Sequence, residues 1–204
     1  MEGLEAILNR LSRQYNKAYN WGIIRWGFRT ADEMEPSILI PLCIWGGLIA
    51  LLTACKEAGI TTCVETCGEF SPIHLPALRE VTDLFLWDVK DTDPARHKAY
   101  TGVDNTRILQ NLKEADRLGA RTRLRCILVE GVNTVESHYE ALADLYHGLS
   151  HCEGVEFLPY HAYGGSKMLP LGQPDNGRVE WIPDGETLTA AKAYLSRRGI
   201  PVIG

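Results

Sequence analysis

The stretch LFLWDVKDTDP, residues 84–94, begins as an apolar run and ends by setting Asp88 and Lys90 at its tip. Side chains alternate along a strand, so Leu84, Leu86, Asp88 and Lys90 share one face, and Phe85, Trp87 and Val89 the other. A carboxylate and an ammonium at one strand tip can grip a zwitterion. Three more runs end the same way. ITTCVETCG carries Glu65 on a face with Cys63 and Cys67, RTRLRCILVEG places Arg123 and Arg125 on one face, and LPYH closes on His161. Glu65, Asp88, Lys90, Arg125 and His161 therefore fall at four successive strand ends. Together they suit a small polar ligand with carboxylate, amine and ribose groups. Taken singly, each has an ordinary structural reading: Asp and Lys cap strand ends in solvent, Arg123 and Arg125 fit an edge strand, and a lone His after Pro-Tyr is usually structural. Lys90 at a strand tip also admits a Schiff-base lyase or aldolase-type barrel, with Glu65 or Asp88 as acid or base. Asp88 on the same face disfavours that chemistry, because it holds the ammonium rather than the free amine.

The elements that must position these groups alternate. From residue 48 onward, short β-rich runs exchange with longer helical-period segments, the pattern of an α/β protein with a parallel sheet. LIALLTACKEAG reads as a helix stopped by Gly59, and PIHLPALREV as a short, proline-started helix or turn. NTRILQNLKEADRLGA aligns Ile108, Leu112, Ala115 and Leu118 behind an Asn/Thr cap. In NTVESHYEALADLYHGL, Asn133 and Glu136 are spaced as a capping box. GETLTAAKAYLSRRG is a last helix and IPVIG a closing strand. Parallel strands joined by helices bring every C-terminal strand end to one side of the sheet, where α/β proteins bind their ligands.

The composition narrows the partners. With 204 residues and 45% apolar content, the chain can bury a sizeable core. A net charge of −5, without a run of like charges, gives no footprint for nucleic acid or an anionic membrane. Six scattered cysteines and no secretory leader pattern fit a reducing cytoplasm. Residues 37–55 are nineteen residues without a charge, the length of a membrane span. Pro41 and Gly46-Gly47 interrupt that stretch and its flanks show no Lys/Arg bias, so no membrane is expected.

Four ordered blocks carry a family likeness: CVETCG, LFLWDVKDTDPARHKAYTGVDN, RTRLRCILVEGVN and VEFLPYHAYGGSKMLPLG. In order and spacing they resemble the activating enzymes of glycyl radical enzymes, the pyruvate formate-lyase activator group of the radical S-adenosylmethionine superfamily. The resemblance covers about residues 48–204. It implies a partial (β/α) barrel that binds S-adenosylmethionine against a 4Fe-4S cluster and cleaves it reductively. The 5′-deoxyadenosyl radical then takes a hydrogen from a glycine of the partner enzyme, with a flavodoxin or ferredoxin as electron donor. The cofactor supplies the chemistry and the protein positions it. By resemblance, Glu65 and Thr66 lie near the cofactor and a cation site, Asp88 near that cation site, and Lys90 near the methionine carboxylate. Arg125 and His161 would line the cofactor pocket. Partner-facing loops differ among such enzymes, and residues 161–185 are the expected counterpart here.

Two features depart from the family. The cluster pattern Cys-x3-Cys-x2-Cys is absent; Cys63-x3-Cys67 is followed by Phe at position 70, so no metal ligands are assigned. Gly46-Gly47 stands where the family has Gly-Gly-Glu-Pro, without the Glu-Pro. Residues 1–47 read as a divergent leader, and residues 48–204 as the C-terminal part of a barrel truncated at its N-terminal end. An upstream frameshift or misassigned start would produce that pattern. The alternative to an activator is a non-catalytic remnant that keeps the S-adenosylmethionine pocket or the partner surface.

Overall fold

The computed structural model describes residues 39–161 and 178–204. Most of the proposed leader, and residues 162–177 of the proposed partner-facing loop, lie outside them. The chain divides into two compact units.

The first unit comprises the residues up to Cys63 together with Ile73–Asp83. Its helix α1, Leu39–Glu57, runs through Gly46-Gly47 without a break, a correction to the sequence reading. Glycine inside a helix costs about 1 kcal/mol against alanine but does not stop it. The stop comes at Gly59, whose φ of +73° closes the turn. No helix among the described residues is long and apolar enough to cross a membrane. A turn of 3-10 helix, Pro72–His74, leads into α2, Leu75–Val81. Trp45 stacks on His74 with ring centres 4.4 Å apart. Asp83 closes the unit: it accepts the Thr62 backbone N–H at 2.8 Å and the Lys56 ammonium at 2.9 Å. Those donors, the Thr62 N–H foremost, hold its carboxyl down at about 2.

The second unit comprises Val64–Pro72 and Leu84–Gly204. Five strands, β1 Cys63–Thr66, β2 Leu84–Asp88, β3 Thr122–Leu128, β4 Cys152–Pro159 and β5 Val202–Ile203, lie in sequence order in one sheet. Strands β2 to β5 pair in parallel, with Asp88, Arg125, Glu156 and Ile203 in one cross-strand row. Between them run α3 (Pro94–Thr101), α4 (Thr106–Arg117), α5 (Glu136–His147) and α6 (Gly185–Ser196). The strands alternate as their sequences require. Phe85, Trp87, Leu124, Cys126, Leu128, Val155 and Phe157 form a buried face, and Asp88, Arg123, Arg125 and Glu156 point to the half-buried one.

Helix α3 is an addition to the sequence reading. Asp93 caps it by accepting the Arg96 N–H, Pro94 occupies its first turn, and Gly102 ends it at φ +89°. Two caps differ from expectation. Asn105 does not cap α4; Asp104 accepts the Thr106 N–H instead. Asn133 and Glu136 do not form a capping box, because α5 starts from Val135 and the Asn133 carboxamide is used elsewhere.

Candidate functional site

The half-buried face of β1 to β4 carries a row of opposite charges. Arg125 Nη1 lies 2.6 Å from Glu65 Oε2, and its Nε lies 3.9 Å from Asp88 Oδ1. Lys90 Nζ stands 4.0 Å from Asp88 Oδ2. The side chains of Asp88 and Arg125 keep only 15% and 17% of their surface exposed, against 51% for Glu65 and 40% for Lys90. Four of the sequence-predicted residues, Glu65, Asp88, Lys90 and Arg125, are thus brought together. Thr66 turns its hydroxyl to accept the Gly68 N–H at 3.0 Å. His161 is exposed, two residues beyond the end of β4.

The electrostatics follow from this geometry. Burial raises the Asp88 carboxyl above the usual range, Glu65 adds to that, and Lys90 and Arg125 oppose it. Burial would lower Arg125, but the hydrogen bond to Glu65 and the fields of Asp88, Glu65 and Glu156 raise it. Asp88 Oδ1 and Arg125 Nε are both buried without a hydrogen-bond partner. Such orphaned charged atoms are costly unless something else completes them.

Sequence reasoning missed the residues that hold these tips. Asn133 donates to the carbonyls of Lys90, at 2.9 Å, and Ile127, at 2.8 Å, while its Oδ1 accepts the Val129 N–H. Asn105 donates to the carbonyls of Asp91 and Thr92, and Asn111 to those of Gly68 and Phe70. Asp91 takes Arg96 in a bidentate pair. His138, fully buried, accepts the Thr92 N–H at Nδ1, so Nε2 carries the proton and donates to Cys126 Sγ at 3.1 Å. Burial lowers this imidazole to about 4, with Arg96 adding and Asp91 opposing. The only sequence signal for this set was the density of Asn and Asp just after β-rich runs, which reads equally as turn chemistry.

The donor set fits S-adenosylmethionine: a buried carboxylate oxygen and a buried guanidinium N–H, both without hydrogen bonds, match a ligand that is at once ammonium and carboxylate. A 4Fe-4S cluster finds no such match. Among the described residues no three His, Cys, Asp or Glu side chains converge to hold a metal. Burial raises the thiols of Cys126 and Cys152, whereas a cluster takes thiolates.

Fold and site together define an α/β protein with a row of opposite charges where its strands end. The chain belongs to the pyruvate formate-lyase-activating enzyme family. It is 31% identical over 180 residues to the pyruvate formate-lyase-activating enzyme of Staphylococcus epidermidis, a match covering 85% of this chain and 70% of that one. To the choline trimethylamine-lyase activating enzyme of Oleidesulfovibrio alaskensis it is 38% identical over 127 residues, 61% of this chain and 41% of the relative. A domain of the pyruvate-formate lyase-activating enzyme of Bacteroides vulgatus superposes with a TM-score of 0.66 at 25% identity, covering 80% of this chain and 92% of that domain. The fold is also that of HemN from Escherichia coli, a radical SAM enzyme, at a TM-score of 0.53 and 12% identity over 76% of this chain and 37% of HemN. No family model matches the chain.

Proposed function

We propose that this chain is the S-adenosylmethionine-binding part of a glycyl radical enzyme activator. The observation that carries the reading is the row of Glu65, Asp88, Lys90 and Arg125, in which Asp88 Oδ1 and Arg125 Nε are buried 3.9 Å apart and neither makes a hydrogen bond. In this reading Lys90 faces the methionine carboxylate, Glu65, Thr66 and Asp88 stand near a cation site, and Arg125 and His161 line the pocket. Hydrogen abstraction from a glycine of a partner enzyme, fed by a flavodoxin or ferredoxin, is proposed for an assembly that brings thiolates not gathered among the described residues. Calorimetric titration with S-adenosylmethionine tests the site. Lys90→Ala and His161→Ala should each weaken binding by about tenfold or more, the worth of one charge-assisted hydrogen bond, with the fold intact. Unchanged affinity in both sinks the assignment.

The absence of a Cys-x3-Cys-x2-Cys pattern from the sequence favours a second reading, a module that binds the cofactor or the partner and does no chemistry. Iron and sulfide content after anaerobic reconstitution separates the two. About four irons per chain would make this polypeptide an activator in its own right, and none would leave the binding module.

A further inference from the structure

We infer that the three buried asparagines Asn105, Asn111 and Asn133 are positioning residues for the candidate site, each acting through the strand-tip loop it holds. The inference rests on reading that site as the S-adenosylmethionine site. Each is 3% exposed or less. Each spends its carboxamide N–H groups on two main-chain carbonyls, five of the six in loops that leave the sheet and the sixth, that of Ile127, next to the last residue of β3.

The five loop carbonyls share one property. Past the end of a strand, a carbonyl loses its ladder partner, and if it stays buried it costs about 1–3 kcal/mol unless a donor reaches it. Lys90, Asp91 and Thr92 are consecutive residues in that position, and Asn133 and Asn105 between them supply all three carbonyls. Gly68 and Phe70 stand in the same position after β1, and Asn111 supplies both. Asparagine is the shortest side chain with two donors on one atom, so it can bridge two carbonyls with little loss of side-chain entropy.

Asn133 does most toward the site. By binding the Lys90 carbonyl, the Ile127 carbonyl and the Val129 N–H at once, it fixes the tip of β2 to the end of β3. The ladder already sets Asp88 against Arg125, and this contact fixes where Lys90, two residues past the end of β2, stands relative to them. Where two charges must meet one zwitterion, a displacement of about 1 Å at the tip weakens both hydrogen bonds.

A structural role alone would lower stability and leave cofactor affinity to the folded fraction; positioning predicts a loss that passes through Lys90. The test is a double-mutant cycle in the full chain, read as the S-adenosylmethionine Kd well below the melting midpoint. Asn133→Ala should raise Kd about tenfold in the unaltered background and less than about threefold in Lys90→Ala. If Asn133→Ala does not fold, Asn105→Ser, which keeps one donor, enters the same cycle with an expected rise of about threefold that Lys90→Ala abolishes. Equal losses in both backgrounds, or no loss in the first, overturn the inference while leaving the site reading intact. No binding by the unaltered chain overturns the site reading and the inference with it.

Discussion

Leu124 and Arg125 are neighbours on β3, yet they obey different rules. Leu124 is fully buried on the helix-covered face, with Trp87 and Leu128 beside it on the same face. Arg125 lies on the other face, more than four-fifths buried, facing Glu65 and Asp88, its Nε 3.9 Å from Asp88 Oδ1 and without a hydrogen bond. Orphaned polar atoms occur on both faces, but on the covered one they are neutral, Trp87 Nε1 and Thr122 Oγ1. The open face leaves charged atoms incomplete, on Asp88, Arg123 and Arg125. Among the described residues, the covered face leaves no charge incomplete. The other is organised at a cost in stability, as the proposed ligand site requires.

The contrast can be broken at several points. Leu124→Ala should cost about 2–5 kcal/mol in chemical denaturation, the usual range for a buried leucine, because its close-packed neighbours cannot collapse into the space. A loss under about 1 kcal/mol would mean the covered face is looser than its burial implies. Asp88→Asn should do the opposite. It removes a carboxylate whose ionised form burial disfavours, so stability at neutral pH should hold or rise while S-adenosylmethionine affinity falls. The sign of its pH dependence follows. A carboxyl raised in the folded state makes that state the better proton binder, so Asp88 lowers stability progressively as pH rises from the unfolded value through the raised one. A melting curve at each pH should show that slope vanish in Asp88→Asn.

The smallest effect belongs to the other unit and has the reverse sign. Asp83 is held at about 2, so its contribution is full above the ordinary carboxylate range and is lost as pH falls toward 2. Asp83→Asn should flatten the melting midpoint across that acid window. A wild-type slope surviving the substitution would remove the Thr62 and Lys56 contacts as its cause.

How far the sequence foretold this depends on what each signal reports. Strand alternation is a local rule, and it placed Asp88 with Lys90 and Arg123 with Arg125 on their observed faces. The pairing of Arg125 with Glu65 needs the strand order, which the βα alternation supplied only in outline. Helix α3 escaped because PARHKAYT has almost no apolar period, although Asp93, Pro94 and Gly102 marked both its ends. Asn133 was misread because a three-residue spacing to Glu136 is a local cue, whereas the Lys90 carbonyl that claims its side chain lies 43 residues away. Buried hydrogen bonds between distant loops leave no periodic trace.

Gly68 carries a consequence of another kind. A Cβ there would run into the indole of Trp87, and its φ of +78° strains any side chain. A descendant of this chain therefore cannot enlarge residue 68 while Trp87 stands. The tryptophan must shrink first, and even then the turn penalises whatever follows. The two sites are bound to a fixed order of substitution, so their histories should be read as one character in any lineage that keeps this loop.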